Sequence, residues 1–454
     1  MKLPTNVDGE KVLFSIILAL GFGFYLYVLT RHPLIYGIDG PYYLTQVRSL
    51  LENGCLKYGD PPLAFFIFAF FTLLSGGNIT LGIKVGVALF SALSAAPLYF
   101  WVKRVTGFKL SWYAAMFTCI FSSLHIRLIN GLLKNAVGAF FLICFAYYLH
   151  LLFVGKGSRR VLFAAAVFLL LTGATHILDF GVALLFLTLY PSAVLLAGIN
   201  RRDVLKKFAA LLLTVVVFSV VVLASSPFFF SDFYKGLAFL QAMLSENSEG
   251  LSIQFLFDPM GGFLILPVLT VGVVLSVHEW RNKNKQAALS LATVTIVGVL
   301  LSLPIIPPEW LSRFLLMEFI PVAFVLGYSF SKMNTNVAAA ILLVLCVFPM
   351  FTQAVAVSRT LQPTIEEIDY REIESMREYV LPNSVIVGDP RYGYWVEYIT
   401  RADVAKMLSP ELRLKYTRIL LLVDKLSFRQ PPIPPYATKI FEGRRFILFK
   451  VISP

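Results

Sequence analysis

The sequence predicts a multi-pass α-helical membrane protein of about eleven spans, followed by a small soluble α/β domain. The chain has 454 residues, of which 58% are hydrophobic and only 14% are charged. The apolar residues form runs of about twenty, the length that crosses a bilayer. The net charge of +13 lies largely in short loops between these runs. It therefore indicates membrane orientation and no nucleic-acid partner.

Each predicted span is an apolar run bounded by polar or glycine-containing loops. The predicted spans are 12–30, 80–102, 111–128, 135–154, 160–175, 177–197, 207–226, 261–278, 286–303, 310–329 and 336–356. The run 62–75 is too short to cross the bilayer comfortably, and it opens with two prolines, which suit a helix start. We predict an interfacial or re-entrant helix there, on the outer side.

The basic residues fix the predicted orientation. With the N-terminus in the cytoplasm, every strongly basic short loop lies inside, as the positive-inside rule requires. Counting 62–75 as a full span would break this pattern. The segments 31–79, 127–134, 227–260 and everything after about 357 are then outside. We expect a plasma-membrane protein whose first apolar run is retained as a signal anchor.

Residues 358–454 differ in character from the rest and are predicted to be an extracytoplasmic α/β domain, whereas residues 1–357 form the membrane domain. A charged stretch from Glu366 to Tyr379 has helical spacing. Runs at 384–387 and 418–423 are typical of buried strands, and 439–449 is typical of a hairpin around a Glu-Gly turn.

Asp39 is the main candidate for chemistry. It lies in the stretch Tyr36–Tyr43 just after the first span, where an ionisable group is costly unless it has a role. It is either a general base at the outer membrane surface or a turn or cap residue before Gly-Pro. Residues 42–54 are predicted to form an amphipathic helix that ends at a glycine.

Further polar residues lie at predicted membrane boundaries. Asp60 precedes two prolines and is either a helix cap or a ligand for a metal or acceptor. Arg127 and Lys134 flank an outer link, and Arg313 lies one turn into a late span. All three cations are candidates to hold a lipid-linked phosphate. The alternative for Arg127 and Lys134 is that they reach towards lipid headgroups.

His176 and Asp179 lie at a break between two short predicted spans, three positions apart on one helix face. Such a pair either lines a cavity or stabilises the helix break. The four cysteines are scattered and show neither metal spacing nor a disulfide framework. No metal site is predicted, and a divalent cation is the one cofactor left open.

Together, these residues resemble the multi-span glycosyltransferases of the C superfamily (GT-C). That superfamily includes protein O-mannosyltransferases, aminoarabinose transferases and oligosaccharyltransferase catalytic subunits. The segment Asp39–Tyr43 resembles their first-loop acid, and Tyr58–Leu63 resembles a Lys-Pro-Pro-Leu element, with Asp60 where lysine is usual. Segments 364–367 and 389–395 resemble two oligosaccharyltransferase motifs, but the first follows the last span and the second lacks both tryptophans. These departures argue against a site that reads a peptide sequon.

The resemblance implies an inverting transfer of a sugar from a polyprenyl-phosphate-linked donor to a protein, lipid or glycan acceptor on the outer face. Asp39 would be the base, and Arg127, Lys134 or Arg313 would stabilise the leaving phosphate. Candidates for lining the acceptor site or cavity are Tyr42, Tyr43, Asp60, His176 and Asp179. Several relatives carry another acid in the loop after the third span, but the link 125–135 has none.

Two other functions fit a chain of this kind. One is a transporter or flippase of a polyprenyl-linked glycan precursor, although such proteins usually have internal repeats and none is detected. The other is a non-catalytic GT-C-like scaffold. Replacement of Asp39 by Asn separates catalysis from both, since only a catalytic role predicts a loss of glycan transfer.

Overall fold

The structure is a computed structural model. It describes residues 9–155, 157–199, 201–225, 265–303, 308–333, 348–427 and 431–451, with a few isolated positions between them. The predicted outer segment 227–260 lies outside the described residues, as does most of the predicted span 336–356 before residue 348.

The chain divides into two compact units. The helical unit comprises Met1–Arg31, Tyr58–Ile67 and Lys84–Thr360. The mixed unit comprises His32–Lys57, Phe68–Ile83 and Leu361–Pro454. The mixed unit thus contains the C-terminal residues together with parts of the loop after the first predicted span.

The regular elements that the structure describes between residues 9 and 360 are helices joined by short loops. These helices are α1 (Gly9–Thr30), α2 (Gly40–Asn53), α3 (Leu63–Leu74), α4 (Ile79–Leu93), α5 (Ala95–Val105), α6 (Lys109–Ile120), α7 (Ser123–Leu128), α8 (Leu133–Phe153), α9 (Arg159–Thr175), α10 (Ile177–Leu196), α11 (Arg201–Ser225), α12 (Ile265–Arg281), α13 (Lys285–Leu301), α14 (Pro308–Leu316), α15 (Phe319–Ser329) and α16 (Phe348–Thr360).

The chain is a multi-pass membrane protein. Within the described residues, 6 helical stretches are long and apolar enough to cross a bilayer. They are Gly9–Thr30, Ile79–Val105, Leu133–Phe153, Ile177–Leu196, Arg201–Val222 and Trp310–Lys332. The larger number of about eleven spans stays a prediction. The helix α3 is present where 62–75 predicted one, and its 12 residues are shorter than a span.

Some predicted spans are interrupted. The predicted span 111–128 is two helices, because Ser122 adopts an extended conformation between α6 and α7. The predicted span 310–329 bends at Met317 and Glu318, between α14 and α15. Only one or two polar residues interrupt the apolar run at each site, so sequence alone placed one helix in each.

The core of the helical unit is aromatic. Trp101 of α5 is fully buried, and its ring centroid lies 4.7 Å from that of Phe324 on α15 and 6.3 Å from that of Phe186 on α10. A polar contact joins α1 to α5, where the Tyr99 hydroxyl donates to Glu10 Oε1 at 2.7 Å and Lys103 pairs with the same carboxylate. Large buried rings such as that of Trp101 hold several helices in one arrangement.

The mixed unit contains a five-stranded sheet with the order β2-β1-β3-β5-β4. The strands and the remaining helices are α17 (Glu367–Met376), β1 (Ser384–Val387), α18 (Pro390–Thr400), β2 (Asp403–Ala405), α19 (Pro410–Lys415), β3 (Arg418–Asp424), β4 (Ala437–Glu442) and β5 (Phe446–Val451). β1 pairs in parallel with β2 and β3, and β5 is antiparallel to β3 and β4. The predicted strands and hairpin are confirmed, whereas the three-residue β2 was not predicted.

Within the mixed unit, α2 packs against α18. Pro41 starts α2, and Gly54 ends it in the left-handed conformation with φ 73°, which glycine adopts without strain. The predicted helix with a glycine stop is therefore confirmed. Next to it, Lys57 Nζ lies 2.6 Å from Glu397 and 2.7 Å from Asp403.

Candidate active site

Asp39 occupies the N-cap position of α2, but its carboxylate makes no capping hydrogen bond. The cap that sequence allowed as its alternative role is therefore not formed. The loop is tightly built, because a Cβ added at Gly40 would lie 2.7 Å from Cγ2 of Ile35. The Asp39 side chain is half-buried beside a helix N-terminus, whose dipole favours the ionised carboxylate. A half-buried carboxylate in this position is suited to accept a proton.

The two tyrosines after Asp39 have different environments. Tyr42 is half-buried, its hydroxyl accepts a bond of 2.9 Å from Gln46, and its ring meets Tyr394 edge-on at 5.2 Å. Tyr43 is only 3% exposed and packs on Phe68. Tyr42 is therefore the better placed of the two to contact a substrate, and Tyr43 belongs to the core.

The two weak C-terminal motif matches are in contact. The Trp395 indole donates a hydrogen bond of 2.9 Å to the Thr364 hydroxyl, and Trp395 is fully buried. Its ring meets Tyr370 edge-on, with 6.0 Å between centroids. This hydrogen bond fixes Thr364, near the start of the C-terminal segment of the mixed unit, to α18.

In the helical unit, Asp60 and Lys134 form a buried ion pair. Their side chains are 5% and 9% exposed, and the Lys134 ammonium contacts both carboxylate oxygens. The helix α3 begins at Leu63, so Asp60 does not occupy its N-cap position. Lys134, a predicted phosphate ligand, is therefore paired with Asp60, a predicted acceptor-site residue. The Asp60 carboxylate offsets the charge of the lysine.

A polar cluster occupies the break between α9 and α10. His176 is the extended residue between the two helices, and its Nδ1 lies 2.9 Å from Asn135 Nδ2 and 3.4 Å from Asp179 Oδ2. Asp179 is fully buried, and a Cβ added at Gly138 would lie 2.1 Å from its Oδ2. The close approach of α8 therefore requires glycine opposite this carboxylate. His176 and Asp179 therefore lie side by side at a helix break, and a cavity-lining role stays a prediction for both.

The other predicted cations differ in exposure. Arg127 lies on α7 and is half-buried. Arg313 lies on α14 and is exposed, with its guanidinium 5.8 Å from the Trp310 ring centroid. Among the residues that the structure describes, no carboxylate lies within ion-pair distance of Arg313. Within that part of the chain, an external anion can therefore meet this guanidinium without displacing a carboxylate.

Sequence reasoning missed a cluster in the mixed unit that joins Arg445 to Asp369 and Asp424. The arginine is 76 residues from the first acid and 21 from the second. No local motif links positions so far apart. Within the described part of the chain, no three His, Cys, Asp or Glu side chains come together as a metal site would require.

No family model and no curated protein matches the sequence. Among solved structures, the oligosaccharyltransferase AglB from Archaeoglobus fulgidus, with an inhibitory peptide and a dolichol-phosphate, superposes with a TM-score of 0.63. The alignment has 13% identity and covers 91% of this chain and 69% of AglB.

ArnT from Cupriavidus metallidurans gives a TM-score of 0.62 at 14% identity, with 98% of both chains covered. The chain has the GT-C fold. A second ArnT structure, bound to undecaprenyl phosphate, gives a TM-score of 0.60 at 13% identity and covers 99% of both chains. The GT-C resemblance that rested on two short segments thus extends over the whole architecture.

Proposed function

We propose that the protein is a membrane glycosyltransferase that moves a sugar from a polyprenyl-phosphate-linked donor to an acceptor on the outer membrane face. The observation that carries the proposal is the GT-C fold over nearly the full chain. AglB and ArnT are structures with a dolichol-phosphate and an undecaprenyl phosphate, respectively. One fold can support several reactions, so the residues of the site decide which reaction the protein performs.

Asp39 is the proposed general base. The acceptor nucleophile attacks the anomeric carbon of the donor sugar and forms the new bond while the bond to the phosphate oxygen breaks. The nucleophile's proton passes to the Asp39 carboxylate, and polyprenyl phosphate leaves with the bonding electrons. A single displacement of this kind inverts the anomeric centre. Its rate depends on a positioned base that is ionised at working pH.

Arg313 is the proposed primary ligand of the leaving phosphate. It is exposed, and an arginine fork suits phosphate geometry. Lys134 is less suited to this role, because its charge is already offset by the buried Asp60 carboxylate. Arg127 is the second candidate. Negative charge develops on the phosphate as the glycosidic bond breaks, so a cation placed there acts mainly in the transition state.

The proposed orientation rests on the distribution of basic residues. With a cytoplasmic N-terminus, the strongly basic short loops, such as 103–109 and 156–160, are inside. The loop with Asp39 and the C-terminal residues are then outside. Tyr42 is proposed to line the acceptor site, and the polar groups around Asp179 are proposed to line a cavity of the helical unit. The acceptor is a protein, a lipid or a glycan.

Mass spectrometry of cell-surface glycans, with and without this chain, tests the proposal. We expect one sugar modification to disappear without the protein and to stay absent with the Arg313→Ala variant. Arg160→Ala is the matched control, since Arg160 is an exposed arginine in a predicted cytoplasmic loop. Unchanged glycans without the protein would reject the proposal. Loss of the modification together with donor accumulation on the cytoplasmic face would favour the transporter instead.

A further inference from the structure

The sheet of the mixed unit has a switch in strand order at its centre. After β1 the chain passes through α18 to β2 on one side, and after β3 it passes to β4 and β5 on the other side. The connections that leave the carboxyl ends of these two parallel neighbours therefore diverge. In open sheets with parallel strands, such a divergence creates a crevice that commonly holds a ligand.

A cavity of about 440 Å³ lies at this position. Its walls come from the end of β1, the first turn of α18, the end of β3 and the start of β5. The lining residues are Asp389, Arg391, Tyr392, Asp424, Leu426, Ser427 and Arg445. The volume lies within the range of small-molecule sites.

The inner wall is held by a paired arginine. Arg445 donates from Nε and Nη2 to the two oxygens of Asp424 at 3.3 and 3.1 Å, and from Nη1 to Asp369 at 2.6 Å. The side chains of Asp369 and Asp424 are 1% and 5% exposed. Buried carboxylates on both sides fix this guanidinium in one orientation, so the wall is organised before any ligand enters.

The outer wall repeats the same pairing. Arg391 donates to Asp389 Oδ2 from Nε at 2.9 Å and from Nη2 at 2.5 Å, and its side chain is 55% exposed. The Tyr392 ring lies between the two arginines, at 5.5 Å from the guanidinium of Arg391 and 4.8 Å from that of Arg445. The cavity therefore presents two carboxylate–guanidinium pairs and the Ser427 residue.

The charges of this lining favour a neutral ligand. Among the described residues that line the cavity, two arginines and two acids offset each other, so this part of the lining carries no net charge that would attract an anion or a cation. An anion could bind one of these arginines only by displacing the carboxylate that is already paired with it. A hydroxyl can accept from an arginine N–H and donate to the paired carboxylate at the same time. Neighbouring hydroxyls on one ring match such pairs.

We propose that this cavity is a binding site for a neutral sugar unit, recognised through the Asp389–Arg391 and Asp424–Arg445 pairs. The site goes beyond the proposed transfer reaction, because a sugar can bind here with no donor present. It gives the mixed unit a role of its own, the recognition of a sugar.

The test is a binding measurement on the full chain in lipid nanodiscs, because maltoside detergents would themselves supply a sugar. The probes are mannose, glucose, galactose and N-acetylglucosamine, followed by saturation-transfer difference NMR. We expect saturable binding of at least one of them, with a Kd on the order of 1 mM. Inorganic phosphate and acetate, added as competitors, should not displace it.

Two variants change the outer wall and leave the buried pair intact. Asp389→Asn keeps a good helix cap but removes the charge, and Arg391→Gln removes an exposed guanidinium. Each should weaken sugar binding about tenfold, since each removes a hydrogen bond to a charged group. Lys439→Gln is the matched control, because Lys439 forms an exposed ion pair with Glu442 on β4, outside the cavity lining.

Three results would overturn the inference: none of the four sugars binds, phosphate or acetate displaces the bound sugar, or both outer-wall variants bind as the unchanged protein does. The Asp39→Asn variant separates this inference from the proposed function. Sugar binding should persist in it whether or not transfer is lost, so a failure of either idea is visible independently of the other.

Discussion

Replacement of Lys134 by methionine removes the cation that pairs with Asp60 and keeps most of the apolar stem of the side chain. Both partners are buried, with side-chain exposures of 9% and 5%. The variant therefore leaves the buried Asp60 carboxylate without its counter-charge.

The magnitude follows from the burial of the pair. Removing one partner of a buried ion pair destabilises a protein by about 3–5 kcal/mol, because a charge is left without its counter-charge. Asp60→Asn leaves the buried Lys134 ammonium without its counter-charge and should be destabilising for the same reason. The double variant Asp60→Asn with Lys134→Met removes both charges and should recover much of the loss.

Unfolding in detergent micelles, titrated with sodium dodecyl sulfate and followed by far-ultraviolet circular dichroism, measures the four free energies of unfolding. We expect a coupling energy between the two positions of about 2 kcal/mol or more. If the two single losses simply add in the double variant, the two side chains do not act as a pair and the reasoning is refuted.

Three further changes test other contacts. Gly138→Ala should lower the free energy of unfolding by about 1–3 kcal/mol, because the new methyl would lie 2.1 Å from Asp179 Oδ2; an unchanged dodecyl sulfate titration would contradict the close approach. Trp395→Ala should cost about 3–5 kcal/mol and expose the amides of α18 to hydrogen exchange, whereas protection equal to that of the unchanged protein would contradict the buried indole. Burial alone would raise the pKa of the Asp403 carboxyl, but the Lys57 ammonium and a tyrosine hydroxyl outweigh it and lower the pKa. The stabilisation that Asp403 contributes to the fold is therefore present above its unfolded pKa of about 3.9, and it is lost as the pH falls through the lower folded pKa. Hydrogen exchange of the β2 amides should rise in that pH range, and Asp403→Asn should remove this pH-dependent rise.

Local patterns could be read from the sequence where the signal is short-range. Pro41 and Gly54 mark the two ends of α2 because each restricts or permits one backbone conformation. The strand β3 was predicted because a buried strand is a continuous apolar run. The GT-C resemblance came from residues 36–63 and was extended to the whole chain by the fold.

Other features depend on contacts that a single sequence does not reveal. Asp60 and Lys134 are 74 positions apart, so neither residue type nor spacing indicated their pairing. The break at Ser122 is a change of backbone conformation inside a run that is long enough for one span. The cavity at the end of β3 joins Arg445 to acids that are distant along the chain, and its position follows from strand order, which the sequence alone left undetermined.

The central claim is that Asp39 acts as the base in sugar transfer from a polyprenyl-phosphate donor. The most direct test reconstitutes the purified protein with a polyprenyl-phosphate-linked sugar and measures release of polyprenyl phosphate together with product formation. Asp39→Asn should lower the rate by about a hundredfold or more, while its unfolding curve stays unchanged. A stable Asp39→Asn protein that transfers the sugar at the unchanged rate would contradict the claim.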